Sequence, residues 1–569
     1  MAGVDRRSET EPDARAAPPS ALAPFRAPIF LALWLASLVS NFGSLIQNVG
    51  AAWLMTSLAP AADMVALVQV ATVLPIMLFS LPAGAAADVY DRRRVMLVAQ
   101  VAMLAVSAAL AALAWFDLLT PWLLVALTFL IGAGAALYGP AWQSSVREQV
   151  PRAELPAAVA LNSVAFNLAR AVGPALGGVL VAAAGAVAAF GVNAVSYIGL
   201  IAVLVAWRRP ASHAGLPPET MAGAMLAGLR FARLSHALQA VLVRAGAFGF
   251  FAAALWALIP LVARDLLHGG AATYGTLLAA FGVGAVGGAF AGSTIRARLT
   301  NEWIVATGSL AFALASLVVA LSPVIVLTLA ALVLGGAAWL LVLSTFNVTV
   351  QLRSPRWVVG RAMAIYQAGV FGGLALGGWL WGVAADRYGV PVSLGTAAGT
   401  LALTALIGRV LPMPATDRID LEPAPADERV GGPALDPEHG PVVTSLEYRI
   451  ARENAAAFVR LSRRLHRMRG RNGARRWALL HDVADPAVWI ERFETPTWLD
   501  YLRLRDRMTG VDRAIEREAL ALHAGEAPPA ARHLLAHVPP SAAEGDRAPM
   551  AVESSVFDPS LPPNLRVAR

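Results

Sequence analysis

The sequence has no cysteine. That excludes disulfides, thiolate zinc sites and iron–sulfur clusters. Lysine is absent too, so all 45 basic residues are arginine. Charge of either sign is scarce, at 14% of residues, where an ordinary soluble domain carries about 25%. What takes its place is apolar: 57% of residues are hydrophobic and the mean hydropathy is +0.60. These residues gather in repeated runs of about 20, long enough to cross about 30 Å of hydrocarbon as helices. The composition therefore points to an integral membrane protein. A formal net charge of +8 in a soluble chain would suggest nucleic acid. Here the arginines collect in loops, which is the pattern of cytoplasmic positive charge. No Walker-type phosphate loop is present, which argues against ATP as the direct driver of any membrane work. No Asp or Glu falls deep within an apolar run; Asp63, Asp88, Asp117, Glu148 and Asp265 stand at run ends. The titratable membrane carboxylate of an ordinary proton relay is thus missing. No cofactor or metal is expected.

The apolar runs cover residues 28–57, 64–87, 95–117, 121–143, 156–183, 187–207, 241–263, 272–295, 303–321, 324–350, 362–384 and 390–411. The polar connection from Arg208 to about Gln239 divides these twelve six and six. With the N-terminus inside, the inner loops hold Arg92, Arg93, Arg94, Arg147, Arg152, Arg208, Arg209, Arg230, Arg233, Arg296, Arg298, Arg353, Arg356 and Arg361, and the outer loops hold Arg264 and Arg387. That asymmetry predicts both termini in the cytoplasm of a bacterium. The abundance of Ala, Arg and Gly suits a GC-rich bacterial genome, and the membrane is then the inner (plasma) membrane.

The domain plan follows. Residues 1–27 read as a disordered leader without a cleavable signal pattern. Residues 28–207 form a first six-helix bundle and 241–412 a second. The connection 208–240 contains Met221, Met225 and Leu229 at i, i+4 and i+8, which predicts an amphipathic helix lying on the inner membrane face. Residues 413–440 are a Pro-rich, acidic linker, and 541–569 a disordered tail. Between them, 441–540 is soluble in character. "VVTSLEYRI" alternates as a strand, "ENAAAFVRLSRRLHRMRG" has helical periodicity, and "RRWALLHDV" and "VWIERFET" read as two strands. A stretch of one or two helices and a last strand, "ARHLLAHV", complete a βαββαβ order. The fold class expected is an all-α membrane protein of twelve spans in two halves, plus a small C-terminal ferredoxin-like α+β cytoplasmic domain. Trp477, His481, His523 and His533 are candidates to line a pocket in that domain.

The scarce charges are concentrated in "LPAGAAADVYDRRRVML", the loop between the second and third runs. Gly84, Asp88, Arg92 and Arg93 match the Gly-x-x-x-Asp-Arg-x-Gly-Arg-Arg pattern of the major facilitator superfamily, with Val89 and Asp91 at two departures. A gate is the physical reading. Gly84 allows close helix approach, Asp88 can face a positive helix N-terminus in the other half, and Asp91, Arg92 and Arg93 can make polar links that open and re-form. A degenerate second copy is "GGAFAGSTIRARLT", and a cleaner "GVAADRYG" falls in the last outer loop. The fifth run carries Gly173, Pro174, Gly177 and Gly178, which resemble the end of that superfamily's exporter motif; two upstream glycines of the motif are Ala160 and Ala169 here. Proline removes one helix bond and the glycines permit tight contact. Locally the chain is similar to the transmembrane-secretion-effector branch, which contains the enterobactin exporters, through "LVSNFG", "AAWLMTSLAP", "MVALVQVATVLP", "GPAWQSSVREQVP" and "AMLAGLRFARLS". The 441–540 region resembles the antibiotic-biosynthesis-monooxygenase-like domains, which commonly pair through their sheets.

Arg170 lies near the middle of the fifth run. A central arginine costs about 2.5–3.5 kcal/mol on insertion scales, so it needs a wet cavity or a polar partner. Asn167 at i−3 shares its face. Asn41, Gln47, Asn48, Gln69, Asn193, Asn347 and Gln351 are the other cavity candidates, with helix–helix glue as their alternative role. The resemblance implies a gradient-driven exporter of a small molecule such as a siderophore, a drug or another secondary metabolite. The proton is one candidate coupling ion, the relay carboxylate being absent. Two further readings stay open: a membrane-tethered enzyme with its chemistry in the C-terminal domain, and a non-transporting scaffold that forms a homodimer through that domain.

Overall fold

The computed structural model describes residues 20, 22–59, 61–207, 220–414, 421 and 436–536. The leader up to Pro19, Arg208 and Arg209, most of the 413–440 linker and the 541–569 tail lie outside the described residues.

Among the described residues, twelve α-helices precede the soluble domain: α1 Pro28–Leu58, α2 Ala62–Val89, α3 Arg92–Trp115, α4 Pro121–Ser145, α5 Leu155–Ala206, α6 Met221–Leu234, α7 His236–Leu261, α8 Ala271–Arg298, α9 Asn301–Leu321, α10 Ile325–Leu352, α11 Val359–Tyr388 and α12 Val390–Thr404. Local chemistry sets many of the ends. Pro28 and Pro121 open α1 and α4, where a missing N–H costs nothing. Asp91, Thr120 and Thr300 cap α3, α4 and α9 by accepting from the backbone N–H of Arg94, Leu123 and Trp303.

Eleven of these helices are long and apolar enough to cross a membrane. The count differs from the twelve expected runs because α5 is one element of 52 residues. At 1.5 Å per residue it would reach about 78 Å, more than twice the hydrocarbon thickness. Gly185, at φ 72° and ψ 176°, breaks it into two crossing segments, a backbone conformation that glycine alone adopts readily. Eleven helices thus make twelve crossings, six before α6 and six after. An even number leaves the start of α1 and the end of α12 at one face of the bundle, called here the tail face; the opposite one is the far face.

Each half is tied internally. In the first, the Gln47 side-chain oxygen accepts from Ser107 Oγ (2.8 Å) and Asn193 Nδ2 (2.6 Å), and Asn193 Nδ2 also reaches Tyr197 OH at 3.1 Å. At the tail face Arg92 pairs with Glu148 at 2.6 Å, and Arg93 donates to the carbonyls of Leu204 and Val205. In the second half Phe248, Phe281, Phe312 and Trp339 form an aromatic core with ring centroids 5.6 to 6.4 Å apart. There Arg244, 4% exposed, pairs with Glu302 at 2.5 Å, and Glu302 also accepts from Met413 N. That pair joins α7, the start of α9 and the chain leaving α12.

The expected helix in the connection is α6. Ala224, Ala227, Gly228, Phe231 and Ala232 are buried, while Leu229 is exposed. The buried face of α6 meets protein. It packs on α11, where a Cβ on Gly228 would meet Arg361 Cβ at 2.9 Å, and its other side receives the soluble domain.

That domain runs β1 Val442–Arg449, α13 Ala455–Asn472, β2 Arg475–His481, β3 Val488–Thr495, α14 Trp498–Asp506, α15 Gly510–Ala521 and β4 Ala530–Leu535. Its four-stranded antiparallel sheet has the order β2-β3-β1-β4, the ferredoxin-like arrangement. A capping box at Thr509 and Asp512 separates α15 from α14. Phe458, Leu461, Leu465 and Met468 form the buried stripe of α13 against the sheet. Arg507 sits over the Trp357 ring at 4.4 Å and Arg471 over Phe231 at 6.0 Å, seating the domain on α6 and the turn before α11.

Candidate functional site: the seam between the halves

The two halves meet through two helix pairs, α2 with α11 and α5 with α8. The first runs antiparallel over its whole length. Its far end joins Asp386 Oδ1, which accepts from Ala62 N at 3.3 Å, and its tail end joins Ser80 Oγ, which donates to the Ala364 carbonyl at 3.0 Å. Between them, Gly382 faces Asp63 and Ala66, Gly378 faces Val70 and Gly372 faces Met77. The "GVAADRYG" stretch therefore forms the far end of this seam and does not belong to the tail-face loops.

The second pair is closer. A Cβ on Gly178 would lie 2.7 Å from Gly275 Cα, and one on Gly275 would lie 2.7 Å from Gly178 Cα and from the Pro174 carbonyl. Two helical turns, about 10 Å, nearer the tail face, a Cβ on Gly282 would meet Ala171 Cα at 2.7 Å and the Arg170 carbonyl at 2.8 Å. The other edge of the same motif faces α1: Gly173 lies against Leu45 and Phe42, and Gly177 against Ile46 and Val49. So Gly173 and Gly177 bind α5 within its own half, while Pro174 and Gly178 meet the opposite half. Small residues make both approaches possible on one helix. Further far-face links are Arg264 Nη1 to the Thr56 carbonyl at 3.0 Å and the stacked Trp53 and Tyr274 rings at 6.3 Å.

Arg170 lies 15 residues from both Leu155 and Gly185, about 22 Å from either end of that segment. Its guanidinium stands 5.3 Å from the Phe166 ring centre, and among the described residues it makes no hydrogen bond or ion pair. Trp34 bonds the Leu161 carbonyl and Phe42 touches Gly173, so α1 and α5 run parallel in register. That register brings Asn41 to the level of Arg170.

The expected cavity residues separate into two groups. Asn41, Asn48 and Gln69 are partly exposed and, among the described residues, have no side-chain hydrogen bond, as an amide facing water in a cleft would. Gln47 and Asn193 are 2% and 0% exposed. They do not line a cleft, because the α1–α3–α5 network above consumes their polar atoms. Asn167 bonds the Ser163 carbonyl at 2.8 Å on its own helix, and Gln351 donates to Asn347 at 2.5 Å near the tail end of α10.

The charged loop also departs from the expectation. Arg92 and Arg93 pair inside their own half, and Asp91 caps α3. A Cβ on Gly84 would still be 3.9 Å from Ala364, so no tight crossing requires glycine there. The Asp88 side chain lies outside the described residues. Of the four candidates in the soluble domain, His533 faces a pocket. Trp477 donates to Glu491 and stacks on His466, His481 stacks on Trp489, and His523 accepts from Arg449 N. The Arg244–Glu302 pair escaped sequence reading because Arg244 begins an apolar run and Glu302 belongs to the next loop; an arginine inside the first turn of a span was the available signal.

Comparison with known proteins agrees with this architecture. A family model described as transmembrane secretion effector matches residues 19–540, which includes the sheet domain. The multidrug efflux pump Tap of Mycobacterium tuberculosis is 26% identical over 424 residues, covering 71% of this chain and 98% of that protein. The staphyloferrin A transporter of Staphylococcus aureus is 29% identical over 164 residues, 29% of this chain and 41% of its own. Among solved structures, the POT family transporter PepTSo superposes with a TM-score of 0.56 at 16% identity, over 68% of this chain and 97% of that one. An inward-facing, unoccupied bacterial homologue of the lysosomal transporter Spinster gives 0.53 at 13%, over 68% and 96%. At such identities the likeness is one of fold: two six-helix halves of a membrane transporter.

Proposed function

The chain belongs to the transmembrane secretion effector family of major-facilitator transporters, and from that premise we propose that it is a secondary active exporter of small molecules working by alternating access. The observation that carries this reading is the two-sided α5 motif. One edge of the helix is fixed to its own half through Gly173 and Gly177, while Gly178 presses on Gly275 of the other half. A helix anchored on one side and in bare backbone contact on the other is suited to rock as part of a rigid half. The efflux pump and the siderophore transporter among the relatives support drug-like molecules and siderophores as the substrate classes.

Orientation follows from arginine. The tail-face segments described carry Arg92, Arg93, Arg94, Arg147, Arg152, Arg230, Arg233, Arg296, Arg298, Arg353, Arg356 and Arg361, against Arg264 and Arg387 at the far face. This supports a cytoplasmic tail face in a bacterial inner membrane. Arg170, at mid-depth beside α8, is assigned to the substrate path as the counter-ion of an anionic or catecholate-like group. Asp88 retains its assignment as the cross-half element of the tail-face gate, and the soluble domain is read as a regulatory or self-associating unit without catalysis.

Energised everted vesicles test the transport reading. Membranes containing the protein should accumulate a substrate that matched membranes lacking it do not, and collapsing the ion gradients should abolish the difference. Accumulation that needs ATP but no gradient, or no difference across a panel of drugs and siderophores, overturns it.

A further inference from the structure

The transport reading leaves the "GVAADRYG" stretch of α11 without a task. In it Asp386 follows Gly382 by four residues, the spacing of Gly84 and Asp88 in α2. Residues i and i+4 of a helix share one face, a turn apart. Because α2 and α11 run antiparallel, the two pairs stand at opposite ends of one seam. At the far end the helices are close. A Cβ on Gly382 would lie 2.5 Å from Ala66 Cβ and 3.2 Å from Asp63 Cα, which is backbone. Glycine there lets α11 press on the first turn of α2.

One turn further along α11, Asp386 Oδ1 accepts from Ala62 N at 3.3 Å. Ala62 is the first residue of α2. The first four N–H groups of a helix have no partner within it, and the residue in the N-cap position, Ala61, has no side-chain oxygen to offer. Asp63 takes one of the four for itself, accepting from Met64 N at 2.7 Å. The Ala62 N–H is met from the opposite half of the molecule. The Asp386 carboxylate also stands at the positive end of the α2 dipole. Three residues beyond it Gly389, at φ 86°, ends α11, and α12 begins at Val390. That turn fixes the end of the helix on which Asp386 is carried.

We propose that Asp386 is a latch of the far face: a helix cap lent by one half to the other, made when that face is closed and broken when it opens. The inference rests on the alternating-access reading and assigns a residue to its far gate. A cap supplied within a helix stabilises open and closed states alike and shifts nothing. A cap supplied across the seam exists only in the closed state, so its whole contribution biases the equilibrium. Asp386 is exposed, so water can take over both groups when the halves part. The latch therefore opposes opening without forbidding it.

The test reads closure instead of flux. It can fail while the exporter reading stands, and succeed while that reading falls. Ala271 is 5% exposed and its carbonyl lies in the other seam, against Gly178. In full-length Ala271→Cys, the introduced thiol is the only one, and a membrane-impermeant maleimide added from the far side should react slowly. Adding Asp386→Ala should speed the reaction about 2- to 30-fold, the range that loss of a helix cap produces. Asp386→Asn keeps an acceptor oxygen and should speed it less. Arg387→Ala, which removes the adjacent charge at the same exposed helix end, should react at the parent's rate. A purely structural Asp386 would lower the melting temperature and leave labelling unchanged. Labelling of Asp386→Ala at or below the parent's rate overturns the latch, and so does an equal acceleration by Arg387→Ala.

Discussion

Adding one methyl group at Gly178 should convert the seam into a wedge. The Cβ of Gly178→Ala would stand 2.7 Å from Gly275 Cα and 2.9 Å from the Ala271 carbonyl, where ordinary contact begins at 3.4 Å. Both neighbours are backbone, so no side chain can rotate away, and α5 and α8 must part by about 0.7 Å. Overpacking of this kind costs about 1–3 kcal/mol. The cost falls only on the state in which these helices touch, so the ratio of far-face-open to far-face-closed molecules should rise about 5- to 150-fold. The cysteine-free sequence offers a clean assay, since any introduced thiol is the only one. Ala62 is 8% exposed and its N–H is held by Asp386 at the far end of the other seam. A thiol placed there reports opening of the whole far face and is insensitive to local change at Gly178. In Ala62→Cys, a membrane-impermeant maleimide added from the far side should react slowly, and adding Gly178→Ala should speed the reaction by at least about fivefold. The same or slower labelling, in protein that elutes and melts as a folded monodisperse species, would refute the claim that this glycine pair holds the far face closed.

Four other outcomes are expected. Arg170→Ala should weaken transport of anionic substrates far more than that of matched neutral ones, with partial rescue by Lys, which keeps the charge but loses the fork; equal loss across substrates with a lower melting temperature would make Arg170 structural. Asn193→Ala leaves Gln47 and Ser107 short of a buried partner and should cost about 1–3 kcal/mol, read as a lower melting temperature with unaltered substrate selectivity. Because His533 has its pKa lowered in the folded domain, the unfolded chain takes up the proton first; stability contributed by the neutral ring is complete above about pH 6.5 and falls as pH drops below it. Hydrogen exchange of β4 between pH 5 and pH 8 should show that decline in the parent and less of it in His533→Gln. Asp88→Asn should reduce substrate flux at normal membrane abundance, and normal flux would remove Asp88 from the gate.

The bundle was legible because membrane helices write their limits in apolar length and capping chemistry. The run ending near 183 and the next starting near 187 bracket Gly185, so the kink was visible as a gap although the two segments form one element. The strand and helix order of the soluble domain was equally readable from its changes of period. Partners were harder. Gln47 and Asn48 are neighbours in sequence, yet one is consumed by Ser107 and Asn193 and the other has no side-chain hydrogen bond among the described residues. Composition cannot separate them, because the difference depends on which helix lies across from each. The protein-facing side of α6 went unread for a related reason. Large residues drew attention to the stripe through Leu229, which is exposed, while small residues such as Gly228 mark the close contact with α11.

The placement of arginine ties these parts together. Arg92 and Arg244 hold the tail ends of the two halves through Glu148 and Glu302, while Arg471 and Arg507 use their faces on Phe231 and Trp357. Lysine would serve the first task as a point charge, but a flat guanidinium is what can also stack on a ring. The two rings contact each other edge to face at 6.1 Å. One belongs to α6, the connection between the halves; the other belongs to the turn that begins α11, which forms the long seam with α2. Any rocking that shifts α11 against α6 must carry the soluble domain along or separate those guanidiniums from their rings. Each such contact is worth about 0.5–2 kcal/mol, so the two together match the 1–3 kcal/mol typical of coupling between distant sites. If these contacts differ between states of the bundle, the seat of the domain would bias transport without any chemistry of its own.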